Sequence, residues 1–371
     1  MGWLRVLLAL SVLLEHSGGI GGYTLIGGPL AVQCFFIISG FYMGLVLNER
    51  YDRPSLNRAF YLNRMLRIYG IYLVFLALHL TFFALVHWRT GGSPLSPYFD
   101  SPLPWHEKAG LALLNLTVIG QDLPLFLTVR DGHLAWTSHF AGSGAGEVFH
   151  FMAIPAAWSL SLELCFYALA PFIVRRPAWQ IAALAGLSLL ARAIAAANGL
   201  IADPFNYRFF PFELALFLTG TLAYKCWAAH KAAWAQPRLR LLALAVPLAL
   251  ASYRWWPGGW PVDAFFVPAR LALLVVVAAG MPAIHAWRGR SAADRAVGEL
   301  SYPLYLGHLL VLGLIAGVPA LKASPDLLSL ATVGAGLALA WAAVRLVDSR
   351  IEALRRTLAA RAGARTDSKG G

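Results

Sequence analysis

The sequence predicts an all-α, polytopic membrane protein, a helix bundle of about ten transmembrane helices with both termini cytoplasmic. Its 371 residues are 59% hydrophobic and only 13% charged, and the mean hydropathy is +0.63. Apolar stretches of about 17–25 residues, the length that crosses the hydrocarbon core, recur along the chain. No long polar segment interrupts them. We therefore expect one membrane domain over residues 1–350 and a basic to polar cytoplasmic tail, 351–371, that is disordered at its end.

The apolar stretches define the spans in order. Their predicted cores are 3–20, 30–47, 68–87, 156–174, 179–197, 209–227, 240–254, 264–286, 299–320 and 326–347. Basic residues concentrate in alternate loops, above all in the loop between the second and third spans, whereas 198–207 and 255–263 carry no Lys or Arg. Because basic loops stay on the cytoplasmic side, this alternation places both termini in the cytoplasm.

The segment 88–155 is the exception to this regular pattern. Its one apolar stretch, Leu111 to Ile119, is too short to span comfortably. We expect the segment to be re-entrant or to lie on the outer face, because a single full span there would break the alternation of the loops. A second crossing hidden near 123–129 is the alternative. Its histidines match no metal spacing, and no metal site is predicted.

Charge and cysteine content exclude other classes. The net charge of +12 is explained by basic loops rather than by nucleic-acid binding. Cys34, Cys165 and Cys226 lie in or at the end of apolar segments, form no CxxC pair and indicate packing rather than a disulfide or zinc site. The N-terminus resembles a signal peptide, but Glu15 and His16 interrupt its apolar run, so we expect a retained first helix.

Two ionisable residues of the first helix are candidates for function, because charge at membrane depth is costly. Arg5 and His16 lie eleven residues apart, which corresponds to roughly 16 Å of helix. Arg5 is therefore near the cytoplasmic surface, with His16 much deeper. A neutral imidazole there can act as a general base. The alternatives are a topology anchor at Arg5 and a hydrogen bond from His16 to a neighbouring helix.

The second and third spans contain two further motifs. Ser39 and Gly40 lie in the run Phe35 to Phe41, where small residues also allow close helix packing. Arg64 and Arg67 open the third helix and share one of its faces. Two guanidinium groups on one face suit a polyphosphate, and contact with anionic lipid is the alternative.

Two later motifs place polar groups in apolar helices. Trp158 opens the fourth helix, and Glu163 follows within it, where it can orient a catalytic histidine, hold an arginine or form a structural ion pair. Trp158 itself suits an interfacial aromatic belt. In the ninth helix, the block Ser301 to His308 ends on a histidine several residues into the membrane. His308 is expected either to bind substrate or to hydrogen-bond another helix.

Together these motifs resemble the acyltransferase-3 family of integral membrane acyltransferases, over residues 5–308. The matching blocks are Arg5 with His16, Phe35 to Phe41, Arg64 with Arg67, Trp158 to Tyr167 and Ser301 to His308. Members include bacterial enzymes that acylate lipopolysaccharide O-antigen, exopolysaccharide and peptidoglycan. Each block alone is weak evidence in an apolar chain, but five in order are specific.

The resemblance implies an activity and its substrates. The donor would be an acyl-CoA, usually acetyl-CoA, on the cytoplasmic side, and no cofactor would be permanently bound. The acceptor would be a saccharide hydroxyl, on a cell-surface or exopolysaccharide or its lipid-linked precursor, at the bacterial inner membrane. No nucleic-acid partner and no particular oligomeric state are implied.

The resemblance also assigns roles to individual residues. His16 would be the general base or an acyl-accepting nucleophile, and Glu163 would position a catalytic partner. The donor-binding residues would be Arg5, Arg64 and Arg67. The substrate-binding residues would be His308, Ser39 and Trp158.

The chain departs from the family pattern in three respects. An acidic residue often precedes the double Phe, whereas Ala31-Val32-Gln33-Cys34 stands here. Gly70 replaces a proline that often follows the two arginines. No soluble hydrolase-like segment is expected, so the chain resembles the standalone form.

A glycan or glycolipid transporter is the alternative function, because internal polar groups would also suit it. Transporters often show internal repeats and paired broken helices, and the sequence has no obvious repeat. Consumption of a thioester would separate the two functions.

Overall fold

A computed structural model describes residues 1–140, 147–234, 236–258, 264–289 and 291–351. Within these ranges it is almost entirely helical. The α-helices are α1 (Gly2–Ser17), α2 (Gly28–Glu49), α3 (Asn57–Thr90), α4 (Ser96–Asp100), α5 (Trp105–Thr117), α6 (Trp158–Ile173), α7 (Ala178–Ala197), α8 (Phe210–Ala229), α9 (Lys231–Trp234), α10 (Arg240–Ser252), α11 (Pro268–Arg288), α12 (Ala292–Glu299), α13 (Ser301–Ala316), α14 (Pro319–Lys322) and α15 (Pro325–Ala343). The tail predicted from 351 lies, after Ile351, outside the described residues.

The prediction of an all-α membrane protein is confirmed. In the described ranges, 7 helices are long and apolar enough to cross a membrane: Gly28–Glu49, Pro54–Thr90, Pro155–Ile173, Ala178–Ala197, Pro268–Arg288, Ala292–Ala316 and Pro325–Ile351. A helix also lies at each of the other three predicted positions, as α1, α8 and α10. The number of crossings and the orientation of the termini stay predictions.

The segment 88–155 folds as a small α/β cap at the bundle end where α3 stops. Besides α4 and α5, it contains an antiparallel hairpin of β1 (Leu127–Arg130) and β2 (His133–Trp136), which the sequence analysis did not predict. Asp131 and Gly132 both have positive φ, which suits a two-residue hairpin turn. No helix in the described part of this segment is long enough to span, and the crossing suggested near 123–129 is a 3₁₀ turn followed by β1.

Helix α3 begins at Asn57, well before the predicted core at 68, so Arg64 and Arg67 lie inside the helix rather than at its start. Its start is tied to the end of α2 by Arg175, whose guanidinium donates to the carbonyl of Tyr51 at 2.6 Å and to Asn57 Oδ1 at 2.8 Å. Carbonyls after a helix end lack intrahelical partners, and a cation satisfies them.

Helices α2 and α8 pack through glycines. A Cβ on Gly40 would lie 1.8 Å from the Phe217 carbonyl oxygen, and a Cβ on Gly220 would lie 1.9 Å from the Ile37 carbonyl oxygen. Only glycine permits this approach, so Gly40 serves packing. Ser39, next to it, faces the other way, toward α6.

The bundle has two ends that differ in chemistry. The arginine end is where α1 starts, and Gly2 there packs against Gly298 of α12. The far end is where α1 stops at Gly18, whose φ of 96° suits a glycine at a helix terminus. The loop 198–209 and the segment 88–155 both lie at the far end, because α7 and α3 run toward it.

Candidate functional site

A cavity of about 380 Å³ opens at the arginine end between α1, α2, α3, α6 and α13. Its polar lining is strongly cationic. The charged residues that line it are Arg5, Arg50, Arg64, Arg67, Arg295, Glu163 and Glu299. Five guanidinium groups against two carboxylates give the cavity a net positive charge, which favours a polyanionic ligand.

Four of the five arginines of this cavity are poorly compensated by the chain in the ranges that the structure describes. In the described ranges, Arg5, Arg50, Arg64 and Arg67 form no ion pair with a carboxylate. Arg64 instead lies over the ring of Tyr167, with 5.8 Å between its guanidinium carbon and the ring centroid. Such a set of cations can hold an anion through charge-assisted hydrogen bonds.

Glu163 lies on the cavity wall, held by two hydroxyl groups. Ser39 Oγ donates to Glu163 Oε1 at 2.8 Å, and the Tyr167 hydroxyl donates to the same oxygen. Ser39 lies on α2, and Tyr167 lies one turn after Glu163 on α6, so the motifs on α2 and α6 meet here. The carboxylate is in electrostatic range of Arg5, and it forms no structural ion pair in the part of the chain that is described.

His16 and His308 lie next to each other, with 4.9 Å between their ring centroids and 57° between their ring planes. His16 Nδ1 lies 2.8 Å from the Val12 carbonyl, and His308 Nδ1 lies 2.5 Å from the Tyr305 carbonyl. A carbonyl can only accept, so each Nδ1 carries the proton and each Nε2 has a free lone pair. Each histidine bonds its own helix through Nδ1, and among the described residues neither forms the predicted hydrogen bond to a neighbouring helix.

The histidine pair lies beyond the closed end of the cavity. Tyr305 lines the cavity, and its ring centroid is 5.9 Å from that of His308. The Tyr305 hydroxyl is 2.8 Å from Ser159 Oγ, which fixes the ring across the bundle. One aromatic ring therefore separates the cationic cavity from His308 and from His16, whose ring is exposed at the far side.

Trp158 does not lie in the interfacial aromatic belt that the sequence predicted. It is buried, at 5% exposure, and does not line the cavity. Its ring packs edge-on against Phe36 and Tyr207 and lies under the guanidinium of Arg208 at 4.6 Å. An interfacial belt would expose the ring to lipid headgroups, so that interpretation is wrong.

The structure thus divides the eight candidates into two groups. The cavity collects Arg5, Ser39, Arg64, Arg67 and Glu163. His308 lies beside Tyr305 and contacts His16, while Trp158 packs against Phe36 and Tyr207. Sequence reasoning missed Arg50 and Arg295 as cavity residues, because it counted basic residues near helix ends only as topology signals.

His79 on α3 was also missed. It is 1% exposed, its Nδ1 lies 2.8 Å from the Phe75 carbonyl, and its Nε2 has no partner among the described residues. It is in electrostatic range of His308. A single histidine in an apolar helix, the signal used for His308, would have identified it.

A second charged cluster lies behind α2, away from the cavity. Glu213 accepts from Arg192 and from Gln33 Nε2 at 3.1 Å, and Arg270 Nε donates to Gln33 Oε1 at 3.0 Å. All four side chains are almost fully buried, and Arg192 lies 3.6 Å over the ring of Phe265. None of them lines the cavity. Sequence analysis singled out none of these charges.

Fold and site define an integral membrane protein with a cationic cavity that ends one ring short of a histidine pair. The family model described as the acyltransferase domain of acyltransferase-3 proteins matches residues 1–345, and the chain belongs to this family. It is therefore a membrane acyltransferase, as the five motifs indicated. No curated protein and no solved structure matches the chain.

Proposed function

We propose that the protein moves an acyl group, usually acetyl, from acyl-CoA to a hydroxyl of a saccharide acceptor. The observation that carries this proposal is the cavity. Four of its arginines, Arg5, Arg50, Arg64 and Arg67, form no ion pair with a carboxylate in the described ranges. One aromatic ring, that of Tyr305, lies between the cavity and His308, the neighbour of His16. A polyanionic donor with a narrow thioester-bearing arm fits that shape, with its phosphates at the arginines and its acyl end inward.

The donor end of the reaction rests on the arginines. Arg64 and Arg67, one turn apart on α3, would grip the phosphates of CoA through bidentate hydrogen bonds. Arg5, on the α1 wall of the cavity and in electrostatic range of Arg67 and Glu163, would steady the arm near the thioester. Glu163 would keep Arg5 in position, a role for which its own fixed orientation suits it.

The chemical step would involve His16. Its Nε2 lone pair would take the proton of the acceptor hydroxyl while the hydroxyl oxygen attacks the thioester carbon. The carbon–sulfur bond would then break, and the CoA sulfur would take the proton from His16. Transfer of the acyl group to His16 first is the alternative course. In either case, Tyr305 would turn aside to let the acyl group reach the histidine pair.

The proposal includes an orientation. The helices at all ten predicted positions cross the bacterial inner membrane, both termini are cytoplasmic, and the arginine end faces the cytoplasm, where acyl-CoA is present. The concentration of arginines at that end supports this, because basic residues stay on the cytoplasmic side.

Removal of the two arginines tests the donor site. In purified protein, Arg64→Ala with Arg67→Ala is expected to raise the KM for acetyl-CoA at least ~10-fold, because each charge-assisted hydrogen bond is worth about 1.5–3 kcal/mol. CoA thiol release measures the rate. Arg176→Ala is the matched control, because Arg176 is exposed at the same end and outside the cavity. An unchanged KM in the double variant would remove the donor role.

Glycan acetylation in cells tests the acceptor and His16. In cells that lack the protein, NMR is expected to show loss of O-acetyl groups from the surface glycan. Wild-type protein should restore them, and His16→Ala at matched expression should not, because the base is absent. Restoration by both would remove His16 from the mechanism, and unchanged acetylation in every strain would argue against a saccharide acceptor.

A further inference from the structure

A groove of about 420 Å³ at the far end of the bundle has no role in the proposed chemistry so far. It lies between the cap segment 88–155 and the loop 198–209. Four aromatic side chains form most of its wall, namely Phe126, Trp136, Phe205 and Phe209. The ring of Phe126 meets those of Phe205 and Phe209 edge-on, at 5.3 and 5.8 Å between centroids.

Trp136 gives the groove an open aromatic face. It lies on β2 and is 73% exposed, although burial of its ring would be favourable by the hydrophobic effect. The C–H faces of sugar rings pack on aromatic faces, whereas acyl and polyprenyl chains pack as well on aliphatic side chains. An aromatic wall with an exposed indole therefore favours a saccharide over a lipid chain.

Polar groups accompany the rings, as saccharide hydroxyls require. Asp122 lines the groove, and Ser161 Oγ on α6 donates to its Oδ1 at 2.6 Å, which orients the carboxyl group. Burial raises the pKa of Asp122, which lies outside the membrane-spanning helices. The hydroxyls of Thr137 and Ser138 complete the polar part of the lining. A mainly aromatic pocket with a few placed polar groups is the usual form of a small-ligand site.

The loop 198–209, which supplies part of the groove wall, also carries residues near those that surround the histidine pair. Phe205 and Phe209 flank Arg208, which lies over Trp158 and is in electrostatic range of Tyr305. Tyr207, beside Arg208, is in electrostatic range of Glu15, the neighbour of His16. The loop that forms part of the groove wall thus lies within electrostatic range of Tyr305 and Glu15.

We propose that this groove binds one sugar ring of the acceptor, stacked on Trp136 and hydrogen-bonded to Asp122. A neighbouring ring of the same glycan then presents its hydroxyl at His16. The inference rests on the proposed function, because it gives the saccharide acceptor a binding site separate from the donor cavity.

Two variants and a matched control test it in full-length protein in nanodiscs. The probe is the oligosaccharide mixture released by mild acid from the surface polysaccharide of cells that lack the protein. Trp136→Ala and Phe209→Ala remove groove rings, and Trp105→Ala removes a tryptophan of the same cap that is 80% exposed and outside the groove. The measurements are the Kd for the oligosaccharides, their KM as acceptors and the KM for acetyl-CoA.

We expect Trp136→Ala to raise the Kd and the KM for the oligosaccharides roughly 10-fold, from lost ring contact, with the KM for acetyl-CoA unchanged. Trp105→Ala should match wild type within about 2-fold. If Trp136→Ala transfers acetyl groups with an unchanged KM for the oligosaccharides, the groove is not the acceptor site, and the proposed function is unaffected. Oligosaccharide binding that is lost in Trp136→Ala, without acetyl transfer by wild type, would sink the proposed function alone. If wild type binds vesicles containing polyprenyl phosphate but no oligosaccharide, the groove is a lipid site and the proposal fails.

Discussion

The two sides of α2 hold the same kinds of charged side chain in opposite situations. On the cavity side, Ser39 donates to Glu163, and Arg5, Arg64 and Arg67 form no ion pair with a carboxylate in the described ranges. On the back, Gln33 donates to Glu213, and Arg192 pairs with it directly. The cavity side is open to a ligand, whereas the back is closed on all sides by packed helices.

The difference teaches that a charge in an apolar helix does not by itself mark a reaction site. Glu213 and Arg192 lie as deep in the fold as any functional candidate, at 0% and 3% exposure. What separates them from Glu163 is that they form an ion pair with each other inside the protein. An uncompensated charge on a cavity wall is the stronger indication of a ligand.

Removal of the back carboxylate is expected to have the largest effect, on stability. Glu213→Leu leaves Arg192 and Arg270 buried without their counter-charge, which costs about 3–5 kcal/mol of unfolding free energy. Denaturant titration in mixed micelles measures this. The KM for acetyl-CoA of the protein that remains folded should be unchanged, because none of the cluster lines the cavity.

Two further variants test whether the loss of stability in Glu213→Leu comes from the unpaired buried charge. Glu49→Leu removes an exposed glutamate paired with Lys231, and such a surface pair is worth about 0–1 kcal/mol. Adding Arg192→Leu to Glu213→Leu should restore part of the stability, because the uncompensated charge leaves with it. If Glu213→Leu had wild-type stability and a raised KM for acetyl-CoA, the cluster behind α2 would belong to the donor site, and the two sides of α2 would not differ in role.

Glu163→Gln is expected to lower the catalytic rate and to leave stability almost unchanged, the opposite of Glu213→Leu. The amide can still accept from Ser39 and Tyr167, but the negative charge that faces Arg5 is lost. We expect kcat to fall about 100-fold or more, in the range typical of catalytic groups, with unfolding free energy within about 1 kcal/mol of wild type. Acetyl transfer and denaturant titration on the same preparation separate the two effects. A destabilised variant with normal kcat would make Glu163 a structural residue like Glu213.

The fold was predictable because apolar length determines membrane helices. Every predicted core contains a helix, and the five motifs identified the family over nearly the whole chain. The hairpin escaped notice although Asp131-Gly132 between Val129 and Leu134 is a recognised turn signal. Apolar length, the pattern that identifies membrane helices, does not detect strands of four residues.

The sequence predicted that two site residues lie together only where both belong to one motif or where the family pattern links their motifs. Arg64 and Arg67 share a helix face, so their meeting follows from spacing. The contact of Gln33 with Glu213 joins residues 180 positions apart, and no local pattern encodes it. The acid that often precedes the double Phe is absent here, and the carboxylate beside Gln33 comes from α8 instead.

Asp122 is a third case to compare with Glu163 and Glu213. Its carboxyl group lies neither on the wall of the cationic cavity nor in the buried cluster behind α2. Burial raises its pKa, against the opposing hydrogen bond from Ser161. The folded protein therefore holds this proton more tightly than the unfolded chain. The stability that Asp122 contributes is complete below the pKa of a free aspartate and is lost as the pH rises through the raised value.

The smallest predicted effect follows from that sign. Asp122→Asn cannot ionise, so its melting temperature relative to wild type should increase from acidic to neutral pH, by the order of 1 °C. Asp100→Asn, an exposed acid of the same cap, should show no such trend. Melting curves at several pH values measure the difference. A variant that becomes relatively less stable as the pH rises would mean that the Asp122 carboxylate is held ionised, as in the paired cluster behind α2, and would assign it a structural role.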